Sequence, residues 1–475
     1  VADASPAGAL TLVGSSPLRN RGMNAALAVA DHCAYIGSRN EAGPLIVDIA
    51  NPAQPSVVGE LPAHAGSTPR ELRAVATQHL VIVLFYRLGG GYNGYDIYRW
   101  GADCTALTRV GSYDMGASAP HEFYLWQDPS SPGRVLLFTT MFGASGEGLQ
   151  VIDISDPAHP NHVGGWSVPS GYGHAPVHSI SISPDAMVAY VSLWTGGLVV
   201  ADVSDFTSGR TRPVFRPLTP PAAVYKTPPG NVHSAVPLAG GTRVVTTDER
   251  YPTPFGAGCP YGAAHVVDVS NPARPVAVSA ITVLENNPST CASAPKGTYT
   301  SHNVTVTANL ALISWYSAGL VVVGLDDVAQ PVVLAEQRPS GISPQARDLE
   351  LGTTDTMTWS YPVILGGLVY VVDINQGLLV LRYTGPHEDE VKTTAFAEGN
   401  SNLATASAAV ATPAAIASAP ATPAPIVSPS PGLANGSGPP WTTAGAVTVA
   451  ILALALAALA YRSWRSGVHR PHSNL

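Results

Sequence analysis

The chain repeats one short pattern, and that repeat limits its fold more than any single residue does. An apolar run ends in Asp, a small polar residue and a Pro-containing turn. The copies are LIVDIANPAQP from Leu45, LQVIDISDPAHP from Leu149 and AHVVDVSNPARP from Ala264. LVVADVSDF from Leu198 and LVVVGLDDVAQP from Leu320 are looser, and LLVLRYTGP from Leu378 is degenerate. Self-similarity at a spacing of roughly 50–60 residues marks a repeat architecture. The Asp-Pro and Asn-Pro pairs hold the backbone extended after the apolar run and start a turn.

Each unit has more than the motif. It shows an apolar inner strand, a second strand, the motif strand and an outer strand. HSISISPDAMVAYVSLW before LVVADVSDF is one example, and its His178-Ser-Ile-Ser-Ile-Ser alternation fits a period of two. Outer strands read PSVVGELP at Pro55, TALTRVGSY at Thr105 and PNHVGGWSVP at Pro160. ALTLVGSSP at Ala9 has the same character but nothing before it, and the last unit, Gly366 to Tyr383, lacks an outer strand. The N-terminal strand is therefore expected to complete the last unit and close a ring, which removes a pair of exposed edges. Charged residues are only 12%, with 46 Gly and 43 Pro, which suits short strands and many turns. The expected fold class is all-β, a seven-bladed β-propeller over residues 1–386. The second unit is the least regular.

LIVDIANP, LQVIDISDP, LVVADVSDF and AHVVDVSNP resemble the LVIVD repeat family over about Ala9 to Tyr383. That resemblance implies propeller-like repeats of the kind found mostly in bacterial and archaeal surface proteins. It implies no chemistry. The second, sixth and seventh units depart from the pattern.

The C-terminal part is different. Residues 387–441 are rich in Ala, Pro, Ser and Thr, as in ATPAAIASAPATPAPIVSPSP. Such a segment buries too little apolar area to offset its ordering entropy, and frequent Pro makes it an extended stalk. Ala444 to Tyr461 carries no charge. At about 1.5 Å per residue it nearly spans a hydrocarbon core of roughly 30 Å, so residues 442–462 are expected to form a transmembrane helix. Arg462, Arg465 and Arg470 follow it, which places the tail, 463–475, in the cytoplasm and the propeller outside. The chain starts with Val1 and shows no leader pattern, consistent with a signal peptide removed or not included. Asn303-Val-Thr305 and Asn435-Gly-Ser437 are formal glycosylation sequons.

The net charge of -8 gives no basic field for nucleic acid. The partners expected are the membrane and a protein or small-molecule ligand at the propeller face. The four cysteines form no CxxC pair, so a structural zinc site is not indicated. In an exported chain they suggest two disulfides. Cys259 and Cys291, both in long Gly/Pro/Asn-rich loops, are the expected pair, leaving Cys33 with Cys104. Buried free thiols are the alternative.

Chemistry has one strong candidate. A propeller brings its inner strands together around a channel, so equivalent residues form a ring. His121, His178, His233 and His302 fall at one such position in four consecutive units, in the contexts APHEF, PVHSI, NVHSA and TSHNV. Units one, two and seven hold Asn24, Glu71 and Ser360 or Tyr361 there. Four converging imidazoles suit Cu, Fe or Zn. Carotenoid-cleavage oxygenases and selenium-binding-protein-like methanethiol oxidases, both propellers with His-rich metal sites, are similar in this respect alone. Glu71 and Glu122 could add a fifth ligand or an outer acceptor. The competing reading is a structural histidine copied with the repeat. His174 reads as a residue of the loop above the channel. Thr247-Asp248-Glu249-Arg250 faces either the channel mouth or a surface ion pair. Trp194, Trp315 and Tyr316 read as packing residues. Two functions follow: a surface binding or scaffold module, or a metal-dependent oxidoreductase or hydrolase at the channel mouth.

Overall fold

The computed structural model describes residues 7–404, apart from 88–89, 143–146, 174, 228–229, 251–258, 260, 288, 296 and 340–355. Among them the chain forms seven antiparallel sheets, six of four strands and one of five. In the first six, chain order is also spatial order. The inner strands are Asn24–Ala30, Ser67–Val75, Pro120–Gln127, Ser179–Ile182, Val232–Pro237, Val304–Val306 and Val363–Leu365. Successive inner strands pack side by side, so the sheets stand as blades around a central channel. The fold is an all-β seven-bladed propeller, as the repeat predicts.

The motif strand is apolar throughout because both of its faces are buried between blades. In Leu45–Asp48, Leu45 and Val47 pack with Tyr370 and Val380 of blade 7. Ile46 points the other way, towards Val83 and Tyr98 of blade 2. Leu149 and Val151 likewise join a cluster shared with blade 4, and Ile152 one shared with blade 2.

The turn after this strand locks one blade to the one before it. The Asp side chain accepts the backbone N–H two residues on: Asp48 from Ala50, Asp153 from Ser155 and Asp268 from Ser270, each at 2.8 Å. Asn51, Asp156 and Asn271 repeat the bond to Ala53, Ala158 and Ala273. The next residue then aims its carbonyl at the outer edge of the preceding blade. Pro272 O accepts from Thr219 Oγ1 and Val328 O from Ser279 Oγ, both at 2.6 Å. Pro52 O and Pro157 O instead press on glycine. A Cβ on Gly14 would lie 2.3 Å from Pro52 O, and one on Gly111 1.8 Å from Pro157 O.

The receiving strands share a device. The register of the outer strand slips between Leu12 and Gly14, Val57 and Gly59, Arg109 and Gly111, and His162 and Gly164. It slips again between Ala277 and Ser279, and between Val333 and Ala335. Each slip is a β-bulge followed by a small residue. The recurring Val-Gly of the outer strands is therefore a seat for the next blade.

Blade 7 contains both ends of the described chain. Gly377–Thr384 pairs on its outer side with Ala9–Ser16, and Val363–Leu365 pairs on its inner side with Phe396–Glu398. This moves one expected boundary. Residues 387–404 are not stalk: Glu388–Thr393 is helical, Phe396–Glu398 is a strand, and Val391 and Leu403 are buried. The stalk composition comes from the later part of the window. No Pro occurs between His387 and Ala411, and Val391, Phe396 and Leu403 supply apolar anchors. The expected span at 442–462, the tail at 463–475 and the rest of the stalk lie outside the described residues. No helix among the described residues is long and apolar enough to cross a membrane. Asn303 is buried and donates its amide to Trp359 O at 3.0 Å, so its sequon is closed to a glycan.

Both expected disulfides are present, Cys33–Cys104 and Cys259–Cys291. Cys33–Cys104 ties blade 1 to blade 2 across a separation of 71 residues. Chain entropy for such a loop gives about 4 kcal/mol, and measured losses run roughly 2–5 kcal/mol. The double variant Cys33→Ala/Cys104→Ala is expected to lose about 2–4 kcal/mol in urea unfolding, with native secondary structure retained.

Candidate metal centre

The four histidines sit at one end of four adjacent inner strands. His121 and His233 are the second residues of Pro120–Gln127 and Val232–Pro237. His178 immediately precedes Ser179–Ile182, and His302 stands two residues before Val304–Val306. Antiparallel pairing brings the ends of the second strands to the same mouth. There the chain places Phe142, Trp194, Glu249 and Tyr316, each one or two residues past its strand.

The imidazoles form a continuous arc. His121 Nε2 and His178 Nε2 are 2.9 Å apart. Ring centroids are 4.1 Å apart for His178 and His233, and 3.9 Å for His233 and His302. Two carboxylates face the arc. Glu122 Oε1 is 3.8 Å from His178 Nδ1 and 3.7 Å from His233 Nε2. Glu249 Oε2 is 4.0 Å from His178 Nε2 and 3.9 Å from His233 Nε2, and its Oε1 is 3.6 Å from His302 Nε2. These distances are too long for direct hydrogen bonds. His121–Glu122–His178 and His178–His233–Glu249 are each compact enough to hold one ion.

Hydrogen bonding sets one tautomer. His302 Nδ1–H donates to Trp359 O at 2.7 Å, which leaves Nε2 with its lone pair towards Glu249. His302 Nε2, His178 Nδ1 and both ring nitrogens of His233 are buried without a hydrogen-bond partner, as is Glu122 Oε2. An unsatisfied buried polar group costs about 1–3 kcal/mol, which makes this set a candidate for binding a ligand. Burial also sets the charge. It lowers His233 to about 3. Burial, and next the charges of the neighbouring imidazoles, hold His178 and His302 well below the usual histidine range. Burial, and next the Glu71 carboxylate, push Glu122 well above the usual carboxylate range.

Aromatic rings brace the arc. Trp194 stacks on His178 with centroids 4.6 Å apart, Phe142 on His121 at 4.7 Å, and Trp359 lies 4.1 Å from His302. The Tyr316 hydroxyl donates to Glu249 Oε1. Trp194 and Tyr316 occupy matching positions, and both have positive φ, 36° and 28°. Backbone strain of roughly 1–3 kcal/mol at each is the kind of cost found where geometry serves a site.

The structure sorts the sequence candidates. It brings together all four histidines and Glu122. Glu249, first seen as half of an alternative, belongs at the centre with 1% exposure. Its neighbour Asp248 turns away to His265 at 3.1 Å. Glu71 is buried and bonds to Arg73 at 3.2 Å, and its carboxylate acts on Glu122 beneath the imidazoles. Asn24 donates to Ile374 O at 3.1 Å, and Ser360 Oγ accepts from Val372 N–H at 2.9 Å. Both are structural. Trp194 and Tyr316 touch the cluster, whereas Trp315 donates to Tyr299 O at 3.0 Å. His174 lies outside the described residues. Glu249 had a weak signal: a polar tetrapeptide where other second strands end in aromatic or apolar residues.

Fold and site together define a seven-bladed β-propeller with a buried histidine arc at one channel mouth. The chain carries LVIVD repeats: the family model described as LVIVD repeat matches residues 21–61, 143–167, 178–209 and 265–283, in blades 1, 3, 4 and 5. No curated protein matches it. Among solved structures it is similar to the periplasmic gluconolactonase of Pseudomonas aeruginosa, with 16% identity and a TM-score of 0.52, over 76% of this chain and 94% of that one. A protein from Lactobacillus plantarum is similar at 14% identity and a TM-score of 0.47, over 66% of this chain and 84% of that one. At 16% identity the likeness to the gluconolactonase concerns the fold.

Loss of the buried imidazole has a signed pH signature. Unfolded His233 takes up a proton near pH 6.5, and native His233 does not until about pH 3. Its contribution to stability is therefore complete above pH 6.5 and is lost as pH falls towards 3. In chelator-treated protein, His233→Leu is expected to flatten the stability–pH slope between pH 6 and 4 by up to about 1.4 kcal/mol per pH unit, measured by urea unfolding.

Proposed function

We propose that the propeller is a metal-dependent oxidoreductase or hydrolase head carrying one Cu, Fe or Zn ion at the histidine-bearing mouth. The observation that supports this reading is the set of buried, neutral imidazole nitrogens without hydrogen-bond partners, next to an unsatisfied Glu122 oxygen. Neutral imidazole is the ligating form, and burial secures it across the neutral range. Two nitrogens about 2.0–2.1 Å from one ion at roughly a right angle lie close to 2.9 Å apart, as His121 Nε2 and His178 Nε2 do. In this reading His178 is the shared ligand, joined by His121 and Glu122 or by His233 and Glu249, with His302 next to the second group. Glu122 and Glu249 stand by as ligands or proton acceptors. His302 is oriented through Trp359 O, and Glu249 through Tyr316. A metal with an open position there would supply Lewis-acid or redox chemistry to a small molecule.

A second reading, a surface binding module without turnover, is favoured by the half-buried Phe142 and Trp194 beside half-buried His121. They form an aromatic rim for a protein or small-molecule ligand. Metal analysis separates the two. The full chain is expected to retain about one Cu, Fe or Zn per molecule. His178→Ala and His233→Ala are expected to lose most of it, at least tenfold in affinity. A metal-free wild type after reconstitution, or variants with unchanged metal content, would sink the enzyme reading.

The proposed setting is a membrane surface outside the cytoplasm. Two disulfides support an oxidising compartment. The tether is residues 405–441 and the span 442–462. Deleting 442–462 is expected to move the protein from the membrane fraction to the soluble fraction with its fold intact, as read by fractionation and circular dichroism.

A further inference from the structure

The other end of the channel is occupied by chain from outside the repeat. Phe396–Glu398 adds to the inner edge of Val363–Leu365, so it stands inside the ring of inner strands. From there the chain crosses to the other side. Gly399 N–H donates to Thr305 Oγ1 of blade 6 at 2.9 Å. The Glu398 carboxylate meets the Arg73 guanidinium of blade 2 at 3.0 Å. Asn400 O accepts from Leu125 N–H of blade 3 at 3.1 Å, and Ser401 bridges Leu125 in parallel. Asn402 finishes the crossing with two bonds to Gln127, Oδ1 accepting its N–H and Nδ2 donating to its carbonyl, both at 2.8 Å. Leu125 and Gln127 lie at the opposite end of their strand from His121.

The strap fits closely at one point and loosely at others. A Cβ on Gly399 would sit 1.9 Å from Val304 O, so glycine is needed where the strap turns under blade 6. Glu398, Asn400 and Asn402 are buried. Yet both amide atoms of Asn400, and Ser401 Oγ, are buried without a hydrogen-bond partner. Phe396 and Leu403 anchor the two ends in apolar clusters, while the crossing between them relies on a few polar bonds with orphaned polar atoms, which lowers the cost of releasing it.

We propose that residues 396–402 are a built-in plug that closes the far mouth of the channel. With the plug in place, access from the far side is blocked, and its release opens a route there. Arg73–Glu398 and Gln127–Asn402 are its two latches. The plug depends on channel geometry alone and stands whether or not the arc holds a metal.

The test uses thiol access in the full chain. No described cysteine is free, since all four are in disulfides, so an introduced thiol is the reactive one. Ser181→Cys places it two residues beyond Ser179, on the same side of the strand and further from the histidine mouth. Ser179 Oγ itself reaches Tyr361 OH at 3.3 Å in the channel. Labelling by a small charged methanethiosulfonate is expected to be slow with the strap intact. It is expected to be at least tenfold faster when Glu398→Gln/Asn402→Ala is added. Replacing residues 396–402 by a Gly/Ser run of equal length is the unplugged reference and is expected to label fastest. Hydrogen exchange at Leu125 N–H reports strap release, and near-UV circular dichroism reports the fold. If the double variant unfolds, Asn402→Ala alone, which removes two hydrogen bonds, is read in its place. Fast labelling with the strap intact overturns the plug. So does an unchanged rate in the unplugged reference.

Discussion

The joint between blades is the interaction on which the rest depends. A carbonyl held at a fixed place by two successive Asx turns enters a bulge of the preceding blade, which offers glycine or a hydroxyl. Each side of this joint is short-range in sequence and needs little chain entropy to form. The Pro at its tip narrows the unfolded ensemble as well. Gly14 shows why the N-terminal strand matters. It completes blade 7 and also receives the turn of blade 1 at Pro52. Without Ala9–Ser16, one sheet edge and one joint would be lost together.

A frame secured at its rim can hold polar groups at its axis that are not fully satisfied. Most of the interior is apolar sandwich between blades, but the channel has polar layers. The imidazoles and Glu249 form the first. Glu122, Tyr361 and Ser179 lie beneath, and Arg73 with Glu71 and Glu398 lie below those. Such networks cost stability when partly satisfied. The apolar clusters on either side of each blade carry that cost, and the strained Trp194 and Tyr316 are held by the same surroundings.

Much of this was legible from sequence because propeller strands keep register. Once the Asp-Pro turn places the motif strand, the inner strand is found two strands upstream in each blade, and four histidines fall at one level. The disulfide pairs were legible on other grounds, the loops that hold Cys259 and Cys291 and the pair that remains. Glu249 was only half visible. It lies at the end of a second strand, where its partners Phe142, Trp194 and Tyr316 share its position but not its chemistry. Glu71 misled because the register puts Arg70 at the histidine level: Arg70 sits in the bulge between Pro69 and Glu71 as His233 sits between Val232 and Ser234, and Glu71, one residue on, bonds to Arg73. Composition failed at residues 387–404. Averaging over a long Ala/Pro-rich window hid a short Pro-free stretch with three apolar anchors.

The two mouths of the channel are therefore built by different rules. The histidine mouth is made by the repeat itself, from strand starts that any extra blade would copy. The far mouth is closed by residues that belong to no repeat and that reach blades 7, 6, 2 and 3 in turn. Repetition lines one mouth with strand starts and the other with strand ends, but copied blades cannot supply a closure that crosses the axis once. It has to come from a segment used once, and the residues following the last blade are free to take that part. The strap is also continuous in sequence with everything after residue 404. Its last anchor, Leu403, packs among blade 2 and blade 3 residues, so the single-use segment is seated on the same two blades that its latches join.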